Sequence, residues 1–123
     1  MEIIIVGTGA YVCGKKDNDF GTILPSLFVY VQKFKIKLKL TVACNSNVGK
    51  ERILKKFFTL SKLMKTEDFV KINTIDCKGK PQNFFNNFSS ESNMIGSIVS
   101  VPDQLHYCWI KELLLKKIPT LTV

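Results

Sequence analysis

A chain of 123 residues with 46% hydrophobic and 23% charged side chains has the size and composition of one globular domain, which excludes disordered, collagen-like and low-complexity classes. No apolar run approaches the about 18–20 residues of a membrane-spanning helix, and the run Ile3 to Val6 lacks the basic start and the length of a secretory signal, so a cytoplasmic protein with no membrane partner is expected. The net charge of +8 comes from 18 basic and 10 acidic side chains with Arg52 the only arginine; nucleic-acid readers lean on arginine, so no nucleic-acid partner is expected.

Residues Glu2 to Val6 read as a short buried strand because Ile3-Ile4-Ile5-Val6 is β-branched throughout. Gly7-Thr8-Gly9 stops it, and a long polar loop through Lys15, Lys16 and Asp17 is expected to follow. From Thr22 to about Phe34, residues Ile23, Leu27, Tyr30 and Phe34 recur at helical spacing, with Pro25 in the tolerant first turn. Ile36, Leu38, Leu40 and Val42 then alternate with Lys37, Lys39 and Thr41, a strand ending near Cys44. Asn45-Ser46-Asn47 offers helix caps. Val48 to Met64 carries the stripe Ile53, Phe57, Leu60 and Met64, with Leu54 and Phe58 beside it.

Val70 to Ile75 is a further strand, and a short helix is expected around Gln82 to Phe88. Ile95 to Val101 reads as a strand, closed by Pro102-Asp103. Asp103 is expected to cap a helix reaching about Lys117, where Lys116 and Lys117 suit the negative end of the dipole. Leu121 to Val123 begin a last strand. Strict strand–helix alternation predicts an α/β fold, a doubly wound parallel sheet of Rossmann-like three-layer αβα type, over residues 1–123 as one domain.

Cys13, Cys44, Cys77 and Cys108 are widely spaced, with no C-x-x-C pair, and His106 is the only histidine. Four reduced thiols and no metal site are expected. Lys33, Lys35, Lys37 and Lys39 recur every second residue, which puts them on one face of a strand or its approach. Such a face is solvated, or it supplies a field for an anionic ligand.

The glycine pair after the first strand is where a doubly wound sheet cradles a phosphate. Here Gly7-Thr8-Gly9-Ala10-Tyr11-Val12-Cys13-Gly14 departs from G-x-G-x-x-G, because Val12 stands where the third glycine belongs. The helix is expected to begin late, near Gly21 or Thr22. Phosphate contact is therefore expected from the loop around Tyr11 to Lys15 or from Gly21-Thr22. A carboxylate at the end of the second strand would favour NAD. This chain has Cys44-Asn45-Ser46-Asn47 there, with Lys50 and Arg52 nearby, which leans to NADP or to tolerance of both. At the end of the fourth strand, Pro102, Asp103 and His106 are expected to line the ligand edge.

The Gly-x-Gly turn, the alternating order, and Val101-Pro102-Asp103-x-Leu105-His106 followed by a helix and Ile118-Pro119-Thr120-Leu121 resemble the nucleotide-binding half of the Gfo/Idh/MocA oxidoreductases. The resemblance spans essentially the whole chain and is most specific from Val99 to Val123. It implies binding of NAD or NADP and chemistry on carbohydrate-like substrates. It implies that Gly7, Thr8, Gly9, Ala10 and Tyr11 meet the cofactor's phosphates, that Asn45 and Ser46 lie near the adenosine ribose, and that Val101, Pro102 and His106 lie near the nicotinamide. The family's Glu-Lys-Pro-like motif, later catalytic histidine and substrate domain would fall beyond Val123. A domain cut from a longer enzyme is therefore expected, itself inactive and prone to self-association through surface that the missing part would cover. The alternative is a stand-alone, non-catalytic dinucleotide-binding sensor or interaction module.

Overall fold

The β-branched run at the amino end becomes the central strand. In a computed structural model describing residues 1–123, Glu2–Val6 forms β1, between β2 (Leu38–Cys44) and β4 (Ile95–Val99). β3 (Val70–Asp76) pairs outside β2, and β5 (Thr120–Thr122) outside β4. Every pairing is parallel, in the order β3-β2-β1-β4-β5. The chain winds outward from β1 to β3, crosses back over β1, and winds outward again through β4 and β5.

Strand alternation divides the apolar side chains between two cores. Ile5 of β1 enters one core, with Leu38, Leu40, Val42 and Cys44 of β2. Ile4 and Val6 enter the other, with Ala43. The first core is covered by α1 (Ala10–Cys13), α2 (Ile23–Phe34) and α3 (Asn47–Met64), where Phe28 and Phe57 meet edge to face at 5.4 Å. The second is covered by α4 (Pro81–Asn87) and α5 (Asp103–Leu115), where Phe84 meets Trp109 at 5.8 Å. The result is the three-layer αβα architecture expected from the alternation.

Glu2 is 1% exposed, and a buried carboxylate must be paired. It accepts from Thr41 Oγ1 at 2.6 Å and from Ser90 Oγ, with Lys39 Nζ at 3.6 Å. This knot joins β1, β2 and the segment entering β4, at the end of the sheet away from the glycine turn. No helix is long and apolar enough to cross a membrane.

Four local expectations change. First, the helix after the glycine turn starts at once, at Ala10, and lasts only four residues before Gly14 breaks it; a single turn carries too few residues to show a period. Second, β2 begins at Leu38, because Lys35 ends α2 in the left-handed region at φ 55°. Of the four alternating lysines only Lys39 lies in a strand, and all four are exposed. Third, β4 ends at Val99 and leaves Ser100 and Val101 to turn. Fourth, Pro102 rather than Asp103 is the N-cap of α5, the Asp103 carboxylate makes no capping bond, and the helix ends at Leu115, with Lys116 as its C-cap and Lys117 at φ 58°.

Candidate functional site

In an open α/β sheet the crevice forms at the carboxyl ends of the strands where the winding reverses. Here that point lies between β1 and β4. Gly7 to Tyr11 emerge from one strand and Ser100 to Asp103 from the other, and together they line a cleft of about 600 Å³. That falls within the range of small-molecule sites, about 300–1,000 Å³. A second cleft of about 540 Å³ sits near Met1, Met94 and Pro119, at the amino ends of β1 and β4, where the open-sheet rule places no ligand.

Gly7 closes the turn. Its φ is +106°, and a Cβ there would lie 2.1 Å from Ser100 O, so only glycine lets the β1 and β4 turns meet. The Gly7 amide donates to Ala43 O at 3.3 Å and the Ser100 amide to Val6 O at 2.9 Å. Gly9 differs. Its φ is −81°, and a Cβ built on it meets nothing within 4 Å. The fold does not need glycine there, and the space above its backbone is open. The Thr8 and Gly9 amides donate to no protein acceptor, and the first amides of a helix have none within it.

Arg52 anchors the turn from α3. Its Nε and Nη2 donate to Thr8 O at 3.2 and 2.8 Å. Gly49, in the first turn of α3, packs so closely that a Cβ would lie 2.2 Å from Thr8 Oγ1. Lys15 and Arg52 are the cations of the lining and Asp103 its carboxylate. Lys50 lies outside it, paired with Asp76 at 3.3 Å.

Of the residues singled out from the sequence, Gly7, Thr8, Gly9, Ala10, Tyr11, Asn45, Val101 and Pro102 line this one cleft. Asn45 also bridges strands: its Oδ1 accepts from the Gly79 amide at 3.0 Å and from Cys77 Sγ at 3.2 Å. Ser46 is the N-cap of α3, its Oγ accepting from the Gly49 amide at 3.1 Å, and it does not line the cleft. Nor does His106, whose Nε2 is buried without a hydrogen-bond partner on α5.

Sequence reasoning missed Ser100 in the lining, and Lys56 beneath it. Lys56 is 5% exposed, and its ammonium donates to the carbonyls of Lys16 and Asp19. The signal was present: Lys56 sits three residues after Ile53 and four before Leu60, on the apolar stripe itself.

The thiols are free, with Cys13, Cys44 and Cys77 buried. Burial pushes the Cys44 thiol up to about 12, with Asp76 and Cys77 adding to the rise. Burial is also the main cause that raises Cys13 and Cys77. Such thiols stay protonated near neutrality and are not nucleophiles.

Comparison with protein-family models, with curated proteins and with solved structures finds no match.

Proposed function

We propose that this chain is the dinucleotide-binding domain of an NAD(P)-dependent oxidoreductase of the Gfo/Idh/MocA type, acting on a sugar or sugar-like substrate held by a further domain. The observation that carries the reading is the open cleft at the switch point, lined by Thr8 and Gly9 whose amides have no protein acceptor, with open space where a Gly9 side chain would stand. Amides and cations together suit a diphosphate. A glycine that the fold itself does not require is accounted for when a ligand must approach that backbone closely.

The bound cofactor supplies hydride transfer. The chain's own part is to bind and orient it. Gly7 sets the turn, the Thr8 and Gly9 amides face the diphosphate, and Arg52 fixes the turn by holding Thr8 O. Val101 and Pro102 form the opposite wall. NADP is the better fit of the two cofactors, since no carboxylate stands at the end of β2 and Lys50 neutralises Asp76 at the end of β3.

Gly9→Val tests the reading. The variant is expected to melt within a degree or two of the wild type, because its side chain enters open space. Wild type at a ligand concentration of 100 times Kd gains about 2.7 kcal/mol, a shift of several degrees, and the variant is expected to lose that shift with NADPH and NADH. Equal shifts in both proteins would count against a diphosphate over Gly9.

A further inference from the structure

We propose that the excursion from Gly14 to Gly21 is a built anion-gripping loop, that Lys15 contacts the ligand's diphosphate, and that Lys56 is the positioning residue beneath it. The inference rests on the dinucleotide reading and names the part of the ligand that Lys15 takes.

The excursion splits what would otherwise be one helix into α1 and α2, and it is not slack chain. A Cβ on Gly14 would lie 2.2 Å from Asp19 O, and one on Gly21 would lie 2.6 Å from Ala10 O, both at positive φ. Backbone therefore packs on backbone at both ends. The Asp19 carboxylate accepts from the Gly21 amide at 2.9 Å, and the Thr22 amide donates to Tyr11 O at 2.8 Å. From below, the buried Lys56 ammonium holds two carbonyls of the excursion and lies 5.2 Å from the Phe20 ring centroid. Burying a lysine is costly even when paired.

The side chain so presented is Lys15, which lines the cleft beside Tyr11 and Arg52. Its ammonium has no carboxylate within 4.0 Å, whereas Lys39, Lys50 and Lys55 each have one. Two of the three Arg52 nitrogens are committed to Thr8 O. Lys15 is thus the cleft's cation with no protein partner. It shares that lining with the Gly7 to Ala10 turn and with Asn45 past the end of β2, while Ser46, Asn47 and Lys50 lie outside it; it is assigned to the diphosphate over the turn rather than to a ribose phosphate. A lysine serves phosphate as a point charge.

The test is calorimetric titration of the wild type, Lys15→Gln, Lys15→Arg, Lys56→Met and the Lys15→Gln/Lys56→Met double variant with NADPH, NADH and inorganic pyrophosphate. Lys15→Gln is expected to weaken all three by about tenfold, the scale of one hydrogen bond to a charged group, and Lys15→Arg to retain most of the affinity. Lys56→Met is expected to weaken binding alone but to add nothing in the Lys15→Gln background, since it acts through Lys15. Dinucleotide binding that ignores Lys15→Gln would overturn the proposal and leave the dinucleotide reading standing. Loss confined to NADPH would overturn the assignment to the diphosphate. Lys15-dependent binding of pyrophosphate without binding of either dinucleotide would uphold the loop and reject the dinucleotide reading. Binding of none of the three would reject both.

Discussion

Gly7 and Gly9 are two residues apart and do different work. Gly7 is required by the fold, at positive φ against Ser100 O, and Gly9 is not. The sequence shows a glycine pair after a strand; it does not show which member the backbone needs, because the clash at Gly7 comes from a residue far along the chain. The same limit applies to Ser46 and His106, whose residue types suited a ligand but whose places are a helix cap and a half-buried position on α5 outside the cleft. At this scale the thiols give a pH prediction. Cys13, Cys44 and Cys77 hold their protons more tightly folded than unfolded, so stability is unaffected by them below the ordinary thiol value of 9.0 and falls as pH climbs from there toward about 12. Urea midpoints at rising alkaline pH check the slope. Iodoacetamide near neutrality is expected to label the half-buried Cys108 first and to reach the other three only after denaturation; native labelling of Cys44 would contradict this.

At the scale of elements, long periodic segments were legible and short ones were not. The stripe of α3 and the alternation of β2 survive to within a residue or two at their ends. The four-residue α1 was invisible, because one turn has no period to read. Within α3 the buried side is Ile53, Lys56, Phe57 and Leu60, while Phe58 is 56% exposed. The pairing of Lys56 with two carbonyls of the excursion explains how a lysine is accommodated on that face, whereas Phe58, two residues on, falls on the opposite side of the helix. Lys56→Met removes a donor from two carbonyls, at about 1–3 kcal/mol for each group left buried and unsatisfied. The excursion is expected to loosen while the two cores persist. Trypsin is therefore expected to cleave after Lys15 or Lys16 much faster in this variant, with the far-ultraviolet circular dichroism unchanged. Equal cleavage rates would show that Lys56 does not hold the segment.

For the whole molecule, the order of elements was enough to predict the parallel doubly wound sheet, since each strand–helix–strand step leaves little choice of hand. It did not say which strand ends would meet. β1 and β4 are neighbours at the point where the winding reverses, and the residues after each line one cleft. What the order does not carry is the detail of that cleft: the Arg52 bond to Thr8 O and the excursion held from below depend on contacts between segments tens of residues apart. The central claim, that the amides past β1 hold a dinucleotide's diphosphate, is tested most directly by nitrogen-15 NMR titration with NADPH and NADH. The largest shifts are expected at the Thr8, Gly9, Ala10 and Tyr11 amides, with smaller ones at Val101. Unmoved resonances at those amides with millimolar cofactor, or shifts confined to another surface, would contradict it.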